Sequence, residues 1–244
     1  MRFKNIHFKT ISSTQNWAKK HLGEIDPKTI TCITADKQTK GRGRFARKWS
    51  SPLGGLYATF VFRLPTKTPH LTALGQIFSL TLANILITHK VKGCGVKWPN
   101  DIWIKGEKVA GILTELVFEK NTVAVLLGVG VNVNNKKVPK GATSLAKVSE
   151  KKWNLDILLR KLQKKWVQSL LLFQKKGFPP FQAPFEELMV LKGQEVTLFD
   201  GEKRHKGICH SLASDGSLIV IIDGEKQSFY SVDIQGLLKS PLCR

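Results

Sequence analysis

Hydrophobic and polar positions divide the chain into short, distinct elements. Ile6-His7-Phe8-Lys9-Thr10-Ile11 alternates and predicts a strand. Ser12, Ser13 and Thr14 then offer capping oxygens for a helix running to about Leu22. Ile30 to Ala35 predicts a second strand, and the aromatic and β-branched run Leu56 to Phe62 predicts a buried one. Leu71, Leu74, Phe78, Leu82 and Ile85 recur at three or four, the signature of an amphipathic helix started near Thr68-Pro69. A strand to Lys97, a Pro-Asn-Asp turn, a strand from Ile102 to Lys105 and a hairpin turn at Gly106-Glu107 come next. Val109 to Phe118 and Val123 to Val133 read as antiparallel strands joined at Glu119 to Thr122. Leu155, Leu158, Leu159, Leu162, Trp166, Leu170 and Phe173 form a second helical stripe, with Asn154 as its cap.

Gly177-Phe178-Pro179-Pro180 reads as a break. Beyond it the pattern shortens to strands at Val196 to Phe199, Lys206 to Leu212, Leu218 to Ile222 and Lys226 to Tyr230. Asp200-Gly201, Asp215-Gly216 and Asp223-Gly224 supply hairpin turns between them. Strands and helices mix without a repeating strand-helix-strand unit, so the class is α+β. The expected division is a large domain over residues 1–185 and a small β-barrel over 190–244.

Composition changes this picture in three respects. The 244 residues are 42% hydrophobic, which excludes wholesale disorder. No stretch approaches 18 consecutive apolar residues, so no spanning helix is expected, and the basic, mixed N-terminus has no apolar signal core. Cys32, Cys94, Cys209 and Cys243 show neither a disulfide framework nor zinc spacing, so a reducing, cytoplasmic location is expected. The 39 Lys plus Arg against 18 Asp plus Glu give a net charge of +21. That charge suits either a polyanionic partner or a lysine-rich surface. Its wide spread, with many lysines on the outer face of the second helix, favours the surface.

Chemistry concentrates in residues 38–52, which include Gly41-Arg42-Gly43-Arg44-Phe45-Ala46-Arg47-Lys48-Trp49. Glycines let amides converge on an anion, arginines supply forked donors for phosphate or carboxylate, and Trp49 offers a ring for a flat group or a plug for a pocket. The loop is neither a P-loop nor a dinucleotide fingerprint, and a solvated basic loop or a single-strand nucleic-acid segment has the same composition. Lys97-Trp98-Pro99-Asn100-Asp101 places an amide and a carboxylate in a turn, where they serve as turn formers or as oxygen ligands for magnesium. Lys108 and Ala110 share a strand face. Gly128 and Gly130 weaken a β-branched run unless something approaches closely, and a buried Asn132 needs partners from a ligand or from neighbouring backbone.

Together, and in this order, these segments resemble the catalytic core of the biotin–protein ligases. The resemblance spans residues 12–16, 38–52, 97–115, 128–134 and 142–145. It implies a mixed-sheet, class II synthetase-like catalytic domain followed by an SH3-like barrel. It implies an enzyme that joins biotin to ATP with Mg²⁺, releases pyrophosphate, and passes biotin to a lysine of a biotin carboxyl carrier protein or domain. Ser13, Thr14 and Gln38 would then meet the biotin head group, with Gln15 at the pocket edge. Gly41 to Trp49 would close over the ligands, with Arg42 at the phosphate and biotin carboxylate and Arg44 on ATP and pyrophosphate. Trp49 would pack near adenine, Lys108 would contact the biotin carboxyl and α-phosphate, and Gly111 and Ile112 would line the biotin slot. Asn132 would recognise adenine. Asn100 and Asp101 would hold the nucleotide–magnesium side, Asp101 also assisting loss of the acceptor proton. Two positions depart from the family pattern: Gln15 replaces an asparagine, and Ala46 a glycine. Nothing as long as a winged-helix domain precedes Ser12, so the resemblance implies the short form, without a nucleic-acid partner. The competing readings are a lipoate or octanoate ligase on a related core and a nonenzymatic nucleic-acid-binding protein.

Overall fold

The computed structural model describes residues 3–201 and 203–236. In chain order its elements begin with β1 (Phe3–Ile11), α1 (Thr14–Lys20), β2 (Ile30–Gln38), β3 (Leu56–Pro65) and α2 (Leu74–Thr88). Next come β4 (Cys94–Lys97), β5 (Asp101–Ile104), β6 (Glu107–Phe118), β7 (Thr122–Val131), α3 (Leu145–Ser149), α4 (Leu155–Lys176) and α5 (Pro179–Glu187). The chain ends its described part with β8 (Glu195–Asp200), β9 (Lys203–Leu212), β10 (Leu218–Ile222), β11 (Glu225–Phe229) and β12 (Asp233–Gly236). Two compact units result. The first takes the described residues to Thr68 plus Glu107–Val167; the second takes Pro69–Gly106 and the described residues from Gln168 onward.

In the first unit the strands run in the order β1–β2–β3–β7–β6. The β1–β2 pair is parallel and the other pairs are antiparallel, which makes the sheet mixed. The parallel pair results from α1, the crossover between its two strands. Ser13 caps that helix from an extended conformation, its hydroxyl accepting from the Asn16 amide at 3.3 Å. Lys19 and Lys20 complement the dipole at the other end. Ala18 and Ile25 pack on Ile33, Val61, Ala124 and Leu126 of the sheet. The next residue along β3, Phe62, points oppositely and meets Trp166 of α4 with ring centroids 5.8 Å apart. Helices thus cover both faces of β3, so its buried run is nearly continuous rather than alternating. Asn154 caps α4 as expected, its side-chain oxygen accepting from the Ile157 amide.

The second unit contains the antiparallel β4–β5 pair and an antiparallel C-terminal sheet in the order β11–β10–β9–β8–β12. Helix α2 corrects the amphipathic expectation, because its buried residues extend around most of its circumference. The polar side chains are satisfied inside: Thr81 donates to the Ile77 carbonyl, and Gln76 donates to the Gly216 carbonyl. Leu71–Thr88 is 18 residues long and apolar enough to cross a bilayer by length and composition alone, a test that a buried core helix also passes. Most of it is buried within the protein. Pro179-Pro180 starts α5 rather than ending structure, since proline at the first helical positions gives up no needed amide. Helix α3 and strand β12 have no counterpart among the predicted elements. The thiols of Cys32, Cys94 and Cys209 are buried, which pushes each up to about 12. Cys243 lies outside the described residues.

Candidate active site

The first unit gathers most of the chemistry-bearing residues on one side of β3, β7 and β6. Register sets Tyr57, Gly130 and Gly111 in one row, Thr59, Gly128 and Leu113 in the next, and Val61, Leu126 and Glu115 in a third. Two of these glycines are covered closely. A Cβ on Gly130 would lie 2.3 Å from Trp49 Nε1, and a Cβ on Gly128 would lie 2.7 Å from Gln15 Oε1. Only a hydrogen fits beneath either side chain. The two glycines of β7 are therefore seats, one for the loop tryptophan and one for α1.

Beside them lies a buried polar chain. Gln38 Oε1 accepts from the Thr14 amide at 2.9 Å and from its hydroxyl at 3.1 Å, while Gln38 Nε2 donates to Ser51 Oγ at 2.9 Å. Thr59 Oγ1 lies 2.9 Å from Thr14 Oγ1 and 3.1 Å from Gln15 Oε1. Two hydroxyl protons and the Thr14 amide thus link the side chains of Gln38, Thr14, Thr59 and Gln15 into one chain. Gln15 is held at both ends: Nε2 donates to Glu115 Oε2 at 2.9 Å and to the Leu126 carbonyl at 3.1 Å.

The Gly-Arg loop is a small hairpin. Trp49 N donates to the Gly41 carbonyl, Gly43 N to the Arg47 carbonyl, and Arg42 bridges to Lys48. Phe45 and Ala46 at its tip have φ of 52° and 56°, the left-handed region where glycine is at ease. Arg44 and Arg47 stand over the exposed Phe45 ring, the former 4.8 Å from its centroid. Arg42 donates to Asn16 Oδ1 at 2.8 Å and lies 3.7 Å from Glu115 Oε1. Inside the hairpin the Lys108 ammonium sits 5.3 Å from the Trp49 ring centroid. The indole N–H of Trp49 is buried with no protein acceptor.

Asn132, at the end of β7, has a backbone partner: its side chain donates to the Thr143 carbonyl at 3.1 Å. Ile112 is buried in β6. Ser13, Thr14, Gln15, Gln38, Gly41, Arg42, Arg44, Trp49, Lys108, Gly111, Ile112 and Asn132 therefore all belong to the first unit. Asn100 and Asp101 belong to the second, where Asp101 opens β5 opposite Lys97. The sequence reading gives no role to Asn16, Ser51, Thr59 or Glu115, although all but Thr59 lie within the segments that carry the resemblance. Thr59 signals itself as a polar residue inside an apolar strand, and Glu115 as a carboxylate at the end of Gly-Ile-Leu-Thr-Glu. Asn16 and Ser51 carry no comparable signal.

This arrangement can grip a polar, flat head group at the hydroxyl–amide chain, hold an anion under arginine and lysine, and cover both with an aromatic ring. Comparison with known proteins gives the family. The sequence pattern of the biotin/lipoate A/B protein ligase family matches residues 7–132. The bifunctional ligase/repressor BirA of Escherichia coli (strain K12) is 30% identical over 224 residues, covering 88% of this chain and 68% of BirA. The biotin–[acetyl-CoA-carboxylase] ligase of Paracoccus denitrificans is 29% identical, covering 77% of this chain and 82% of that one. The biotin protein ligase of Aquifex aeolicus, solved with biotin and ATP, superposes with a TM-score of 0.84. It is 31% identical, covering 96% of this chain and 99% of that one.

Proposed function

The chain belongs to the biotin/lipoate A/B protein ligase family, and from that premise we propose that it is an ATP-dependent, AMP-forming biotin–protein ligase. One juxtaposition supports this reading: the hydrogen-bonded Thr14–Gln38–Thr59 chain lies in the same unit as the loop bearing Arg42, Arg44 and Trp49. The ureido group of biotin carries N–H donors and a carbonyl acceptor that hydroxyl and amide groups can meet, and a lipoyl ring carries neither.

In the first step a carboxylate oxygen of biotin attacks the α-phosphorus of ATP. The new C–O–P linkage forms, the bond to the β-phosphate breaks, and pyrophosphate leaves. Two anions must meet, so Lys108, Arg42 and Arg44 offset their repulsion and the charge that develops. Asn100 and Asp101 offer hard oxygen donors suited to a hydrated magnesium ion. Among the described residues no group of three His, Cys, Asp or Glu side chains is placed to hold a metal ion. A magnesium ion held at these oxygens would neutralise phosphate charge. Trp49, over Gly130, shields the water-labile mixed anhydride. In the second step the acceptor lysine, having lost a proton with help from Asp101, attacks the acyl carbon and AMP departs. Ser13, Gln15, Gly41, Gly111 and Ile112 shape the biotin slot, and Asn132 faces adenine.

Residues 1–185 form the catalytic part on this reading, and 190–244 an SH3-like barrel. The acceptor is a biotin carboxyl carrier domain of acetyl-CoA carboxylase or a related carboxylase, and nucleic acid has no part. The three free, buried thiols suit a cytoplasmic setting. The test is biotin-dependent pyrophosphate release with MgATP, followed by transfer of labelled biotin to a carrier domain, beside Lys108→Ala. Both steps are expected of the wild type, with the variant strongly impaired and biotin favoured over lipoate in kcat/KM. A folded protein that binds neither acid and releases no pyrophosphate would overturn the assignment.

A further inference from the structure

Glu115 is a carboxylate that meets both the pocket floor and the arginine loop. It stands on β6 in the same row as Leu126, beneath α1. Its Oε2 accepts from Gln15 Nε2 at 2.9 Å, and its Oε1 lies 3.5 Å from Lys19 Nζ and 3.7 Å from Arg42 Nη1. The Glu115 side chain is 20% exposed, against 55% for Lys19 and 39% for Arg42, so the cations come to a carboxylate that the sheet already holds. Asn16 Oδ1 supplies a further acceptor for Arg42 at 2.8 Å.

We infer that Glu115 is a positioning residue for the ligation reaction, fixing the Arg42 guanidinium relative to the biotin floor. This rests on the roles proposed for Arg42 and Gln15 in the biotin ligase reading. The physical ground is that Arg42 belongs to a loop with little packing of its own, so its place is set by what its head group touches. Two partners define a direction where one would define only a distance. Without the Glu115 charge, Lys19 and Arg42 become uncompensated like charges around one point, and the guanidinium moves outward to water. Gln15 gives the device its second arm. The amide extends one methylene beyond an asparagine's and reaches the carboxylate, while its other end receives Thr59.

A double-mutant cycle tests this with biotin itself as the probe, its Kd read by isothermal titration so that no step depends on turnover. Glu115→Gln keeps size and an acceptor for Gln15 but removes the charge. It is expected to raise the biotin Kd about five- to twentyfold, with a thermal midpoint close to wild type. In an Arg42→Ala background the same change is expected to alter Kd by less than about twofold, because the group being positioned is gone. Glu115→Asp keeps the charge but draws it back by one methylene, so a smaller rise in Kd, again lost in the Arg42→Ala background, is expected, and it serves if Glu115→Gln folds poorly. A full-sized Glu115 effect in the Arg42→Ala background, or an unchanged Kd with Arg42 present, would overturn the inference. A wild-type protein that binds no biotin would instead overturn the functional reading, so the two failures are distinct.

Discussion

Gly130→Ala isolates the contact between the loop and its floor. Gly130 sits inside β7, opposite Tyr57 and Gly111, and its φ is not positive, so alanine brings no torsional penalty there. The added methyl would fall 2.3 Å from Trp49 Nε1, 2.4 Å from Cε2 and 2.9 Å from Cζ2. Carbon contacts settle at about 3.5–4.0 Å, so the indole must retreat by about 1 Å or more. Overpacking of this kind costs about 1–3 kcal/mol, and replacing a strand glycine returns about 0.5–1 kcal/mol. The net loss of stability is thus about 0–2.5 kcal/mol, and the protein stays folded. Function is hit harder, because the displaced ring no longer closes over the adenylate beside Lys108. If the whole overpacking strain falls on the closed state, kcat/KM for biotin-dependent pyrophosphate release drops about 5- to 150-fold. The assay is pyrophosphate release beside a thermal melt, for Gly130→Ala alone and in a Trp49→Ala background. Wild-type kcat/KM in Gly130→Ala, or an equal loss when Trp49 is already absent, would refute the seating of the ring on Gly130.

Local geometry sets three further outcomes. Ala46→Gly removes a left-handed Cβ at φ 56°, so pyrophosphate release should persist and the biotin KM should fall by no more than about fivefold, the equivalent of about 1 kcal/mol. Gly216→Ala should lower stability by about 2–3 kcal/mol in thermal unfolding. The residue has φ 87°, its Cβ would lie 2.9 Å from Gln76 Oε1, and its carbonyl accepts from Gln76 Nε2 and Trp98 Nε1. The third concerns acid. Hydrogen bonds from Arg63 and then Thr122 hold Glu119 below the usual carboxylate range. Burial pushes Glu186 upward, but bonds from Lys192 and the Leu212 amide outweigh it and leave it low as well. Depressed folded values mean that this stability is present above the unfolded pKa of about 4.3 and is lost as pH falls through the folded values. The thermal midpoint should therefore decline below about pH 4.3, and Glu119→Gln should make that decline shallower.

Much of the fold is legible along the chain because local signals agree with tertiary demand. Ser13 and Asn154 cap the helices their side chains announce, and the aspartate–glycine pairs turn the C-terminal strands. The failures have a common cause. Helix α2 looks amphipathic in sequence because Leu71, Leu74, Phe78, Leu82 and Ile85 recur at three or four with the polar Gln76, Ser79 and Thr81 between them. Each is buried, and each finds its partner in a nearby carbonyl or hydroxyl that periodicity cannot see. Pro179-Pro180 reads as a stop because a proline pair can end one helix or begin another. Phe181 and Phe185, buried on α5, decide for the second.

The site shows the same limit from the other side. The cations of the Gly-Arg loop, Arg42 among them, declare themselves by type and spacing, whereas Lys108 on β6 stands out only through the family resemblance. Residues that matter by being small or by joining a buried hydrogen-bond chain do not. Gly128 and Gly130 are visible as weak points in a strand, but only the cross-strand register tells which side chain needs each gap. Thr59 is 45 positions from Thr14, and Glu115 is 100 from Gln15, so no window along the chain joins them. The pairing of β3, β7 and β6 brings them together, and a change far from the Gly-Arg loop can still move its arginine. Glu115 makes the case plainly: the motif that it closes marks it as a carboxylate on a strand, and nothing along the chain tells what it meets. Once Gln15, Lys19 and Arg42 are seen around it, it becomes the point from which the loop is aimed.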